Sequence, residues 1–256
     1  AGLAQLPQIG IMGSSMRYVA DTRLSWLGFA VPFGGGSRAF GVQVTSFGFS
    51  DQPVYTVDDP EGTSGEVYSV NETAVGLTYA QQFSDRFSAG LTAKFIDDAL
   101  GKVSGRAFAL DFGTNFHTMV GGRPLRASFV IQHLGTNLRH TGNAIDAFVA
   151  RTPPQDVGQS AQELQPARLQ TKSWSLPVMF RVGLSYDVFS TSMNRFTLMG
   201  EFSQPNNTEP GYNFGGEYNL KVGQSGFALA GRLGYTSAPD NNLDAPGAGD
   251  PNYAGF

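Results

Sequence analysis

The chain has 256 residues, a formal net charge of −4 and only 15% charged residues, against about 25% in an ordinary soluble domain, so its surface is short of charge. With no cysteine it forms neither disulfides nor thiolate metal sites, and its mild negative charge gives nucleic acid no electrostatic footing. No apolar run approaches the roughly 20 residues of a transmembrane helix, which argues against a helical membrane protein.

Taken in order, the chain alternates apolar and polar residues in ten stretches, about 23–32, 37–50, 70–83, 86–97, 104–118, 123–134, 174–188, 194–204, 211–221 and 226–236, with a weaker one over 14–20. In the clearest, Phe87, Ala89, Leu91, Ala93 and Phe95 interleave with Ser88, Gly90, Thr92 and Lys94. Period-two alternation places the two sets on opposite faces of a β-strand. The connections alternate as well. Those at 33–36, 84–85, 120–122, 190–193 and 222–225 are short, while 51–69, 98–103, 135–173 and 204–210 are longer, and 135–173 contains Pro153, Pro154 and Pro166. Short turns at one rim and long loops at the other characterise outer-membrane β-barrels, whereas a soluble sandwich has no reason to sort loop length by rim. The expectation is an all-β fold, a transmembrane antiparallel β-barrel formed by residues 1–256 as a single domain.

The later strands show their faces best. Val178, Phe180, Val182, Leu184, Tyr186 and Val188 oppose Arg181, Gly183, Ser185 and Asp187, and Tyr212, Phe214, Tyr218 and Leu220 oppose Asn213, Glu217, Asn219 and Lys221. A charge facing lipid at mid-depth costs about 2–4 kcal/mol, so the charged faces are expected to line the lumen. Lys94, Asp111, Arg181, Arg195, Glu201, Glu217 and Arg232 are the lumenal candidates, either as structural ion pairs between neighbouring strands or as a solute-binding lining. Glu201, Glu217 and Arg232 fall on three successive strands, which suggests a network. Tyr79, Tyr186, Tyr212, Tyr218 and Tyr235 are placed as interfacial anchors.

Signals for chemistry are weak. The histidines are His117, His133 and His140, and Ser128 and His133 point to opposite faces of one predicted strand, so no nucleophile–base pair is indicated and the chain is not expected to be an enzyme. Asp58, Asp59 and Glu61, and Asp240, Asp244 and Asp250, put carboxylates in outer loops without the spacing of a calcium loop. No phosphate-binding glycine loop occurs. No cofactor and no metal are expected.

Several stretches resemble one family. Ala1-Gly2-Leu3-Ala4 is similar to the end of the element that precedes the barrel in PorV/PorQ-type outer-membrane proteins, relatives of the FadL fatty-acid channels. Asp85-Arg86-Phe87-Ser88-Ala89-Gly90-Leu91-Thr92-Ala93-Lys94, then Ala109-Leu110-Asp111-Phe112-Gly113, and finally Gly215-Gly216-Glu217-Tyr218 with Arg232-Leu233-Gly234-Tyr235, resemble further family stretches in the family's order. The resemblance implies a FadL-like barrel of about fourteen strands in the bacterial outer membrane, of which this chain is expected to be a fragment with about ten or eleven. The N-terminal plug and closing strands would lie outside it, and Phe256 would be a truncation point.

Two functions follow from that resemblance. One is a type IX secretion-associated or surface assembly component, meeting secretion machinery or cargo proteins through loops 51–69 and 135–173. The other is a FadL-like transporter for hydrophobic molecules such as long-chain fatty acids. Outer-membrane lipid is the expected surrounding in both.

Overall fold

The computed structural model describes residues 1–18, 21–150, 164–222 and 227–237. Among them the strands are β1 (Gly10–Arg17), β2 (Arg23–Phe33), β3 (Arg38–Pro53), β4 (Val67–Ser84), β5 (Phe87–Leu100), β6 (Val103–Val120), β7 (Arg123–Gly135), β8 (His140–Gly142), β9 (Asp146–Ala150), β10 (Leu164–Arg168), β11 (Met179–Ser190), β12 (Asn194–Pro205), β13 (Gly211–Val222) and β14 (Phe227–Ser237). Among the described residues 3-10 turns stand at Gly2–Gln5 and Asn143–Ile145. A 12-stranded sheet runs β1 through β7 and then β11 through β14, with β8 beside β6, while β9 and β10 form a separate hairpin. The fold is all-β and antiparallel, as the alternation predicts.

Contacts divide the chain into two units, Ala1–Phe116 with Val130–Val178, and His117–Phe129 with Met179–Phe256. In the first, β1 to β6 pair in sequence, with the longest strands, β4 and β6, at 18 residues each. The Gly2–Gln5 turn packs against β2 to β5. A Cβ on Gly41 would lie 2.8 Å from Leu3 Cδ1, so that glycine makes room for the turn. In the second, β11 to β14 pair in sequence, and a register shift between Asp187 and Phe189 brings Phe189 opposite Phe196. Their rings are 5.8 Å apart.

The ten predicted strands are present, and four boundaries differ. Strand β1 occupies Gly10–Arg17 rather than 14–20, and Val19 and Ala20 lie outside the described residues. The connection expected at 98–103 is a two-residue turn, Gly101-Lys102, because Gly101 takes φ +59° and β5 continues in register to the pair Leu100–Val103. The strict alternation of short and long connections therefore breaks there. Strand β11 begins at Met179 rather than at 174. Pro177 has no N–H to donate to a ladder, and Trp174 pairs instead with Leu138 in an isolated bridge. The connection expected to be irregular over 135–173 contains β8, β9 and β10. Pro153 and Pro154, the 223–226 connection, the carboxylates Asp240, Asp244 and Asp250, and Phe256 lie outside the described residues.

At the remaining tight turns the sequence chemistry is direct. Gly121 and Gly122 both have positive φ, 58° and 72°, the conformation that a two-residue hairpin turn matched to strand twist demands. Other glycines are there for close backbone approach. A Cβ on Gly48 would sit 1.9 Å from the Val70 carbonyl oxygen, whereas one on Gly10 would meet nothing within 4 Å. Gly48→Ala is therefore expected to destabilise the folded protein by about 1–3 kcal/mol and Gly10→Ala by less than about 0.5 kcal/mol, read as midpoint shifts in urea unfolding from lipid vesicles.

Candidate functional site

The two faces of the sheet carry the reverse of a soluble protein's burial. In unit 1 the antiparallel register aligns side chains into rows that cross six strands. One row is Ile11–Phe29–Val42–Leu77–Ala93–Leu110 and the next is Gly13–Leu27–Val44–Val75–Phe95–Phe108. These apolar rows are the exposed ones, with Leu77 and Phe108 both 63% exposed. On β2 to β6 the alternate residues beside these rows are largely covered, whereas β1 is exposed on both faces, and the charged side chains of Lys94 and Asp111 keep only 11% and 13% of their surface.

A polar row terminates the apolar band toward the rim of the longer connections. Ser15, Ser25, Ser46, Thr73, Asp97 and Arg106 are successive register partners across β1 to β6, and Arg106 pairs with Asp97 at 2.7 Å. At the other end Arg38, Gln81, Ala89 and Thr114 are register partners. Along β3, Arg38 and Ser46 are eight residues apart, roughly 26 Å at strand rise. That compares with an apolar band of about 25 Å on membrane barrels, measured before any strand tilt is taken off. On β5 and β6 the apolar face extends further, to the pair Phe87–Phe116.

The covered face of unit 1 holds a charge pair and a recess. Lys94 Nζ lies 2.5 Å from Asp111 Oδ2, and Asp111 Oδ1 accepts the His133 backbone N–H at 2.9 Å. His133 takes φ +59°, rare for a non-glycine residue. Beside this pair a half-open recess of about 200 Å³ is lined by Gly90, Thr92, Gly113, Asn115 and Asp111 together with the N-terminal Ala1 and Gly2. Gly90 and Gly113 are direct register partners, and Gly90 lets Ala1 lie close against the sheet, since a Cβ there would be 2.4 Å from the Ala1 nitrogen. Asp111 carries the single charged side chain in the lining, and Lys94 neutralises it.

The rim of the longer connections is also built. Asp59 accepts bonds from the Ser64 and Thr63 backbone N–H groups at 2.7 and 3.0 Å and from the Thr63 hydroxyl at 3.0 Å. These donors, the Ser64 amide first, hold its carboxyl down to about 2, so it is the anchor of its own loop. The two ends of the 136–178 segment fold over β6, where Leu138 and Leu176 pack on Ala107 and Ala109 with Ile96 beside them.

In unit 2 one face carries a row of charged and polar side chains. Asp187, Thr197, Glu217 and Arg232 are successive register partners on β11 to β14. Arg126 grips Asp187 through both terminal nitrogens, at 3.0 and 3.4 Å, and the Thr197 hydroxyl donates to the same carboxylate at 2.9 Å. Glu217 receives Arg232 Nε at 2.5 Å and Asn219 Nδ2 at 2.5 Å, with Arg195 3.6 Å away. The Asp187 side chain is 2% exposed, deep for a carboxylate, and the bidentate guanidinium is what makes that burial tolerable.

Of the seven lumenal candidates, the structure joins Lys94 to Asp111 and Arg195 and Arg232 to Glu217. Glu201 is separate from that trio, because its register partner Asn213 donates to it at 3.1 Å and Thr197 occupies the row opposite Glu217. Arg181 Nε donates to Met179 Sδ at 2.8 Å. Sequence reasoning missed Arg126, although it sits on β7 with a strand's alternation, and it listed Asp187 only as polar. Of the five tyrosines expected as anchors, Tyr79, Tyr186 and Tyr218 donate their hydroxyls to Gln81, the Val120 carbonyl and Asn194, near the short turns.

No protein-family description and no curated protein matches the chain. Among solved structures it is similar to the CymD monoaromatic hydrocarbon channel, at 10% sequence identity, over 89% of this chain and 73% of that one, with a TM-score of 0.43. At that identity and score the likeness assigns neither a family nor a ligand.

Removing one member of a nearly buried ion pair leaves the other uncompensated. Asp111→Ala is expected to cost about 3 kcal/mol, and the double exchange Lys94→Met with Asp111→Leu to recover most of that loss, measured as unfolding midpoints of the single and double variants.

Proposed function

We propose that this chain forms the wall of an outer-membrane β-barrel of FadL-like type that passes small hydrophobic molecules. The observation that carries the membrane reading is the inverted burial. Six-strand rows of Phe, Leu and Val face out, while Lys94, Asp111, Asp187 and Glu217 face the covered side. In water such an exposed sheet is an aggregation surface, whereas in lipid it is the favourable arrangement, and the antiparallel ladder satisfies the backbone groups that lipid cannot.

The hydrophobic-solute part rests on the recess. Its lining is short of charge, its one carboxylate is neutralised by Lys94, and Phe112 and Val130 contribute to its wall. A recess whose lining carboxylate is already neutralised offers little to an ion and favours uncharged molecules.

A second reading, a PorV-type surface assembly component, is favoured by the exposed Tyr55 and Val57 in the connection between β3 and β4. Large apolar side chains beyond the polar row suit contact with secretion machinery or cargo proteins.

Two measurements test the proposal. Leu77→Arg is expected to reduce folding into bilayers by about 2–4 kcal/mol and to diminish the heat-modifiable mobility of the protein in SDS gels. A water-facing site would tolerate the change within about 0.5 kcal/mol, and that result would refute the membrane face. Mass spectrometry of the intact protein purified from membranes is expected to detect a bound neutral lipid or hydrocarbon-like molecule. A ligand-free protein that co-purifies with large secretion components would favour the assembly reading instead.

A further inference from the structure

We propose that Arg17 and Arg23 form a binding site for the phosphate headgroup of an anionic lipid, on the outer face of the sheet at the long-connection rim. This role rests on the membrane face proposed above. The two residues are direct register partners on β1 and β2, the next pair on that face after Ser15 and Ser25 of the polar row. Side chains directly opposite one another in an antiparallel pair hold their Cβ atoms about 5 Å apart, and like charges so placed repel. Both arginines are exposed, and neither has a carboxylate partner among the described residues; Asp21, in the connection between the two strands, pairs with neither. An anion held between the two guanidinium groups turns the repulsion into attraction.

Neighbours on both sides fix the face. Ser15 and Ser25 share a hydroxyl–hydroxyl hydrogen bond of 3.0 Å on the side of the arginines, and Leu27 and Phe29 of β2 follow them there, exposed. Tyr18, one residue on from Arg17, meets Phe47 edge to face at 6.2 Å, and Phe47 is the register partner of Leu24 on the other face. The Tyr18 backbone N–H donates to the Thr22 carbonyl at 2.8 Å. That bond ties β1 to β2 immediately past the pair and holds the arginines abreast.

The surroundings supply room and donors. On β3 the partner of Arg23 is Gly48, whose missing side chain leaves the flank of the guanidinium open. Across from Gly48 on β4 stands Asn71. Its Oδ1 accepts the Ser46 hydroxyl at 3.4 Å, which leaves the amide NH2 to donate. Other cations along this rim are engaged: Arg106 with Asp97 at 2.7 Å, Lys102 with Glu66 at 3.4 Å and Arg139 with Gln170 at 2.9 Å. Arg17 and Arg23 keep their charge for an outside partner.

Depth selects a lipid over a soluble anion. The polar row closes the apolar band, and the arginines lie two residues further along their strands, roughly 7 Å at strand rise. The headgroup zone of a bilayer extends about 5–8 Å beyond each side of its hydrocarbon core. The two guanidinium groups therefore stand at the level of the lipid phosphates. The acyl chains of the same molecule lie down the apolar row that passes through Leu27 and Val44. One lipid satisfies both parts of this surface, whereas a free phosphate satisfies only the charged one.

The test uses the full protein folded into vesicles of phosphatidylcholine, alone or mixed with phosphatidate. Native mass spectrometry of protein released from the mixed vesicles is expected to retain phosphatidate about tenfold over phosphatidylcholine at equal mole fraction. Arg17→Gln with Arg23→Gln should bring that ratio to within about twofold of unity, whereas Arg38→Gln, which removes a charge at the opposite rim, should leave it unchanged. Urea midpoints separate lipid binding from a structural role. In phosphatidylcholine alone Arg17→Gln should raise the midpoint or leave it where it was, because the like-charge pair is relieved; with phosphatidate present it should lower it. A wild-type protein without lipid preference overturns the site, as does a folded double variant that keeps the preference, or Arg23→Gln keeping it should the double variant fail to fold. Inorganic phosphate that displaces the lipid at millimolar concentration marks a free-anion site and overturns the lipid assignment. Heat-modifiable mobility in phosphatidylcholine keeps the two readings apart: a chain that does not fold into vesicles sinks the membrane face itself, and one that folds without lipid preference sinks the headgroup site alone.

Discussion

The register of the antiparallel ladder decides which side chains share a row, and every property of this chain descends from it. Ile11, Phe29, Val42, Leu77, Ala93 and Leu110 come from six separate strands and form one continuous apolar line because each pair is matched residue to residue. A slip of one residue anywhere would turn the covered charges outward on that strand. The cost is far greater in lipid than in water, which is why the polar positions as well as the apolar ones enforce the register.

The same constraint produces two different electrostatic solutions. On the covered face of unit 1 the charge is sparse and self-contained, one lysine against one aspartate, with a strained His133 amide completing the carboxylate's shell. On the charged face of unit 2 it is a chain of partners in which Asp187 and Glu217 are each gripped by arginine and by a neutral donor, Thr197 or Asn219. Each carboxylate is satisfied by more than one group. Such a shell offsets the desolvation that a lone ion pair would leave uncovered.

Strand identity and facing were legible because alternation is a local signal, and the Phe87–Phe95 stretch shows it without help from any other strand. The ends of strands were less legible. Asp98 looks like a loop residue, yet the left-handed Gly101 lets β5 and β6 carry it onward as part of a ladder. The ion pairs were legible only in kind. Glu217 meets Arg195 and Arg232 but not Glu201, because Thr197 fills the position across from it, and that depends on register counted over three strands. The contact between His140 Nε2 and Asp98 was invisible, since it joins distant parts of the chain through a segment whose prolines suggest only irregular structure.

In the membrane setting proposed above, the polar row from Ser15 to Arg106 would be a waterline. Past it β3 runs on to Pro53, β4 reaches back to Val67, and β5 and β6 meet at Leu100 and Val103, so the longest strands would stand as a collar clear of the lipid. Anchoring and exterior shape would thereby be separated along the same strands, and insertions above the collar would leave the embedded band and its depth unchanged.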